Sequence, residues 1–245
     1  GFGLLAFGKT VYALRIVSVL VSLPFIASTM WITREALSGY PRYVRVLAAV
    51  GAGLVIATMM GNIVISRSIY RGVIFYLAVS LSTGFMLRGL RRNRWIDFIA
   101  SGFWGGLSLY TYTAAWFFPF SFFVLALGLL ITRFSQWKKW LPQLIMTGVA
   151  ATVICLPILY LLLVNPSAVF VRADSVSSSN TSLLDSLLVM RDVFLNSGDP
   201  NPQYNAAIAP LIPKMATGFF YIGLIALVIR IRRAETWFLA SLLVL

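Results

Sequence analysis

Apolar runs of about 15 to 23 residues follow one another along this chain, separated by short turns rich in arginine, and that alternation fixes most of what the chain can fold into. In lipid every backbone N–H and C=O must be satisfied within the protein, so runs of this length can only be helices. With 60% hydrophobic residues, 11% charged residues and a mean hydropathy of +0.89, a soluble domain is excluded and a polytopic, all-α membrane protein is expected. The 245 residues give room for about eight spans in one transmembrane domain, 1–245, with no separate soluble module. Gly1 and the apolar Leu242-Leu243-Val244-Leu245 suggest a chain truncated at both ends.

The spans are expected near Val11–Ile32, Val46–Ile65, Gly72–Leu87, Leu141–Leu163 and Met215–Ile229, with a last one starting near Trp237. Arg15 sits early in the first span, placed either to snorkel or to face a polar cavity. Between Arg94 and Arg133 the apolar stretch is too long for one crossing and suits two short helices broken between Tyr110 and Pro119. Pro157 is expected to kink or soften the span it lies in.

A formal net charge of +13 could signal nucleic acid, but the basic residues sit in turns between apolar runs, which is the pattern that orients membrane proteins. The turns 33–45, 88–94, 133–139 and 230–233 hold 13 of the 20 Lys and Arg residues. These turns are therefore expected in the cytoplasm. Ser66–Arg71, Tyr110–Pro119 and the loop 165–210 are then external. A lone cysteine, Cys155, rules out a disulfide framework, and the absence of histidine removes the commonest metal ligand and general base.

All three segments with unusual polar or aromatic chemistry fall on the external side. Arg67 and Arg71, four residues apart at a helix end, can present two planar guanidinium groups to a phosphate, or can simply meet lipid headgroups. Gly105-Gly106 permits close helix approach, and Tyr110, Tyr112 and Trp116 beyond it suit either an aromatic belt or a wall for a sugar or isoprenoid chain. In the long loop, Ser182-Leu183-Leu184-Asp185 resembles a capping box opening an amphipathic helix that ends at Gly198. Asp199 to Asn205 then gathers turn formers with oxygen acceptors, as a rigid turn or a sugar-hydroxyl site. Asn180-Thr181-Ser182 matches a glycosylation sequon, a pattern common by chance.

Several of these pieces, in order, resemble the integral-membrane GT-C glycosyltransferases, in particular the family 39 or dolichyl-phosphate-mannose mannosyltransferase-like proteins of bacteria. They are Ala13-Leu14-Arg15-Ile16-Val17-Ser18, Ser66-Arg67 with Arg71, and Asp97-Phe98 leading to Gly106-Leu107-Ser108-Leu109-Tyr110-Thr111-Tyr112 and Pro119. Gly198-Asp199 with Asn201, Tyr204 and Asn205, followed by Pro210-Leu211, completes the set. The resemblance implies a GT-C-like bundle in a bacterial inner membrane. It also implies transfer of a sugar from a polyprenyl-phosphate carrier to an acceptor lipid, glycan or protein on the external face. An acidic base in the first external loop would then precede Gly1, leaving the catalytic residue outside this chain. Arg67 and Arg71 would meet the carrier phosphate, Tyr110 and Tyr112 the carrier or sugar, and Asp199 with Asn205 would shape the loop over the site. No metal ligand or cofactor is assigned within the chain, and a divalent metal is left open. Relatives often carry an Asp soon after the Pro-Leu, where this chain has Ile212-Pro213-Lys214. That departure keeps two other classes in view: a non-catalytic subunit of a larger membrane complex, and a lipid or solute transporter.

Overall fold

The structure, a computed structural model, describes residues 11–67, 72–165, 183–197, 210, 212 and 214–244. All regular structure among them is helical: α1 (Val11–Ala36), α2 (Arg42–Thr58), α3 (Met60–Arg67), α4 (Gly72–Arg92), α5 (Trp95–Ser108), α6 (Phe118–Thr132), α7 (Trp137–Val164), α8 (Leu183–Leu195), α9 (Lys214–Ile229) and α10 (Ala234–Ser241). Four segments are long and apolar enough to cross a membrane, Arg15–Ala36, Gly72–Arg92, Ala114–Thr132 and Phe134–Val164. The chain is a helical integral membrane protein. By this measure the crossing helices number four among the described residues, against the eight expected, because α2, α5 and α9 hold only 17, 14 and 16 residues.

Elsewhere the boundaries moved for identifiable reasons. The span expected at Val46–Ile65 is two helices, broken where Met59 turns extended (φ −65°, ψ 123°). There Thr58 Oγ1 donates to the Leu54 carbonyl at 2.7 Å and Asn62 Nδ2 to the Ile56 carbonyl at 3.1 Å, so side chains occupy acceptors beside the break. α4 runs five residues past Leu87 to Arg92 and stops where Asn93 adopts φ 56°, a left-handed position asparagine tolerates, donating its N–H to the Gly89 carbonyl at 2.7 Å. The break expected between Tyr110 and Pro119 is present: α5 ends at Ser108, a 3-10 turn spans Thr113–Phe117, and Pro119 opens α6, where its missing N–H costs nothing.

The interior inverts the soluble pattern. Large apolar side chains such as Leu163, Phe219 and Ile229 face outward, at 85, 71 and 75% exposure, whereas Ser28, Ser80, Ser82, Thr83, Ser101 and Ser108 are buried. Lipid offers hydrocarbon as apolar as leucine, so helices gain little by hiding leucine and more by close contact and interhelical hydrogen bonds. Ser28 Oγ and Ser80 Oγ are hydrogen-bonded to each other at 2.6 Å between α1 and α4. Ser82 Oγ donates to the Ser101 carbonyl at 2.7 Å between α4 and α5. A compact apolar cluster remains around Met86, Phe98, Leu125 and Phe238.

Contacts along the bundle sort its ends. Arg88 pairs with Asp97 (2.5 Å), Arg91 with Glu35 (2.5 Å) and Arg133 with Glu235 (2.8 Å), while the Arg230 guanidinium lies over the Tyr40 ring at 4.8 Å. These four contacts join all four basic turns at one end of the bundle. Each acid that enters this end is neutralised by an arginine from a neighbouring helix. At the other end, Phe75 near the start of α4 meets Tyr112 at 6.0 Å, past the end of α5. The four basic turns thus share one end of the bundle, and the connection containing Tyr112 lies at the other.

Candidate functional site

The aromatic end is built from the starts of α4 and α6 and the ends of α5 and α7. After Ser108 the chain unwinds through three overlapping turns: Leu109, Tyr110 and Thr111 donate to the carbonyls of Gly106, Leu107 and Ser108 at 3.2, 3.2 and 3.0 Å. Tyr112 is then extended (φ −151°, ψ 148°) and its carbonyl receives the Ala115 N–H. This geometry sends the two tyrosines apart. Tyr110 Oη donates to the Ile154 carbonyl of α7 at 2.6 Å. That acceptor lies beside the ladder gap made by Pro157, which has no N–H for the Val153 carbonyl. Tyr112 turns toward α4, where it meets Phe75 at 6.0 Å, Phe75 meets Tyr76 at 5.4 Å, and Tyr76 meets Phe25 of α1 at 5.8 Å.

Between these tyrosines and the basic end lies a groove of about 440 Å³, walled by Gly105 and Gly106 of α5, Phe118 and Phe122 of α6, and Thr147 and Ala151 of α7. It reaches from Leu144 to Leu159 along α7, which at a rise of 1.5 Å per residue is about 22 Å of membrane depth. Two observations explain why it exists. Gly102 and Gly106 let α5 settle against α7 so closely that a Cβ at Gly106 would come within 2.8 Å of the Ala151 carbonyl oxygen. Gly148, facing the groove, leaves open space: a Cβ there would meet nothing within 4 Å. Two of the groove's polar side chains are engaged, Thr147 Oγ1 with the Phe98 carbonyl at 3.2 Å and Cys155 Sγ with the Gly106 carbonyl at 3.6 Å, and most of the remaining wall is apolar. Such a surface suits a long hydrocarbon chain rather than a polar solute.

Of the six residues singled out from sequence, Tyr110 and Tyr112 are placed as above. Arg67 is the last residue of α3, five positions before α4 begins at the aromatic end. Arg71, Asp199 and Asn205 lie outside the described residues, as do the sequon at Asn180 and the end of the loop helix expected at Gly198. The loop helix itself forms as α8, with Leu188 and Val189 exposed. Its end is tied: the Ile212 N–H donates to the Phe194 carbonyl at 3.0 Å, so the described chain on either side of 198–211 meets at one point. Arg15 is exposed in α1.

Asp192 caps α8 by accepting from Asn196 Nδ2 at 2.9 Å and Ser197 Oγ at 2.7 Å. These hydrogen bonds hold its carboxyl below the ordinary aspartate range. A depressed carboxylate contributes stability above its unfolded pKa of about 3.9 that is lost as pH falls through the lower folded value. Hydrogen exchange at the Asn196 and Ser197 amides is therefore expected to stay constant from neutrality to about pH 4, once corrected for intrinsic rates, and to rise below it. Asp192→Ala should raise it at every pH. Equal protection in the variant would show that the cap is not formed.

Sequence inspection missed the three acid–arginine pairs. Their only signal was that Glu35, Asp97 and Glu235 each occur within or beside a basic turn, where isolated acids in so apolar a chain need partners. Among the described residues no three His, Cys, Asp or Glu side chains gather as a metal site. No family model, no curated protein and no solved structure matches the chain.

Proposed function

We propose that this chain is the carrier-binding membrane domain of a glycosyltransferase that takes a sugar from a polyprenyl phosphate and delivers it to an acceptor on the external face. The observation that carries this function is the glycine-walled apolar groove of about 440 Å³ beside the Tyr110–Pro119 connection. An isoprenoid chain would lie along α7 in the groove, bringing its phosphate to the aromatic end. There Arg67 would be a cation for it and Tyr112 with its ring neighbours would offer a face to the carrier or sugar, while Arg71, Asp199 and Asn205 enter this reading from the sequence alone, as a second cation and as part of the loop over the site. Tyr110 acts as a positioning residue, because its hydroxyl is committed to Ile154. In the reaction the acceptor oxygen attacks the anomeric carbon and loses its proton to a base. The bond from that carbon to the carrier oxygen breaks, and polyprenyl phosphate leaves with the electron pair. The arginines would stabilise that leaving phosphate. In this proposal α2, α5 and α9 join the four longer helices as shorter crossings of a GT-C-like bundle, with the basic end in the cytoplasm of a bacterial cell.

The test uses full-length protein in liposomes with a polyprenyl-phosphate sugar as donor. Gly148→Phe fills the groove where there is free space, so folding should persist while kcat/KM for the carrier falls about tenfold or more, the equivalent of about two methylene contacts. Arg67→Ala should lower kcat as well. Absence of transfer by the unaltered protein would favour a non-catalytic subunit. Unchanged transfer in both variants would refute the assigned site.

A further inference from the structure

At the basic end a second cavity, about 210 Å³, lies between the end of α1, the end of α4 and the junction of α9 with α10. We propose that it binds a phosphate-bearing anion at the level of the cytoplasmic headgroups, held by Arg230 and Arg233. This site is at the opposite end of the bundle from the groove and does not depend on the transfer reaction.

Charge balance carries the inference. Two carboxylates line the cavity, and each is matched: Glu35 by Arg91 at 2.5 Å and Glu235 by Arg133 at 2.8 Å. Arg230 and Arg233 line the same cavity, and neither forms an ion pair with a carboxylate among the described residues. Two positive charges are thus left over in a recess whose other walls include Leu87, Leu227 and Leu239. Arg230 is half-buried and Arg233 exposed, and the apolar walls beside them leave an anion in the recess less screened than on an open surface. Both guanidinium groups rise from one turn, closed by the Arg233 N–H donating to the Arg230 carbonyl at 2.9 Å. The Tyr40 ring, 4.8 Å from the Arg230 guanidinium carbon, supports one face of that plane and leaves its N–H edges available. Two planar forks from neighbouring positions can share the several oxygens of one tetrahedral group.

Two sources offer this chemistry, a lipid headgroup in the same leaflet and a soluble phosphate ester. Detergent-purified full-length protein is titrated calorimetrically with dioctanoyl phosphatidic acid, dioctanoyl phosphatidylcholine and glycerol 3-phosphate. Phosphatidic acid is expected to bind at least tenfold more tightly than phosphatidylcholine, and Arg230→Gln/Arg233→Gln to remove that preference. Arg42→Gln/Arg92→Gln, which deletes the same charge from exposed positions outside the cavity, should leave the preference intact. Comparable binding of glycerol 3-phosphate identifies a soluble ester as the ligand class. Its failure alongside phosphatidic acid binding identifies a headgroup. If no phosphate probe binds, or both double variants weaken binding equally, the effect is diffuse surface charge and the site does not exist. Thermal melts of each variant guard against loss of fold, and Arg230→Lys/Arg233→Lys, which keeps the charge, should restore part of the affinity.

Discussion

Gly102→Leu is expected to separate α5 from α7 and to leave most of the protein unable to reach its native, detergent-stable state. A Cβ at this position would fall onto the Thr147 carbonyl oxygen and lie 2.9 Å from the Ala150 Cβ. The first obstacle is backbone of a packed helix, which cannot swing aside as a flexible side chain would. Even Gly102→Ala must push the helices apart, and overpacking of this kind costs about 1–3 kcal/mol, with leucine above that range. Loss would spread beyond the contact, because the same approach aligns Thr147 Oγ1 with the Phe98 carbonyl and Cys155 with Gly106. Gly148→Ala is the comparison. It adds a methyl into open space on the partner helix, so it should be neutral or stabilise by up to about 1 kcal/mol through helix propensity. Melting temperatures in one detergent decide the matter. If Gly102→Ala and Gly148→Ala melt alike, α5 and α7 are not in this contact, and the groove beside them loses its wall.

Arg88→Ala is expected to be the most costly single removal of a charge. Asp97 is 1% exposed, and its Oδ1 accepts from Arg88 Nε at 2.8 Å and Nη2 at 2.5 Å, while Oδ2 has no hydrogen-bond partner. Taking away the guanidinium strands a carboxylate inside the helix bundle. Breaking a buried pair from one side costs about 3–5 kcal/mol, and the 30% exposure of the Arg88 side chain argues for the lower part of that range. The arginine also lies over Trp31 at 5.2 Å and Phe85 at 4.9 Å, so its removal loosens α1 from α4 as well. Asp97→Asn should cost less, since it leaves a cation that can still reach water. Arg88→Met/Asp97→Asn should recover much of the loss. A double-mutant cycle with additive effects would show that the two side chains do not act as a pair.

Much of the bundle was legible in the sequence because lipid leaves the backbone few choices. The runs Gly72–Leu87 and Leu141–Leu163 must be helical and lie within α4 and α7, and the Tyr110–Pro119 break followed from excess length between two basic turns. The second run, Val46–Ile65, reads as one crossing in the sequence and is two helices in the structure. Thr58 and Asn62 bond to carbonyls next to Met59 and divide the second run, and α5 is only 14 residues, about 21 Å. Of the candidate site, sequence pointed to Tyr110 and Tyr112 as a pair. The connection between α5 and α6 turns one toward α7 and the other toward α4.

Sequence by itself determined the helical membrane class and the sorting of basic turns to one end, because hydropathy and arginine placement are local properties that lipid and water act on directly. Only the tertiary structure decided which arginine neutralises which acid, where glycine becomes an interhelical contact, and where a groove remains. Those depend on distances between residues far apart in the chain. Arg133 and Glu235 meet at 2.8 Å across 102 positions, and no local pattern in the sequence specifies that encounter.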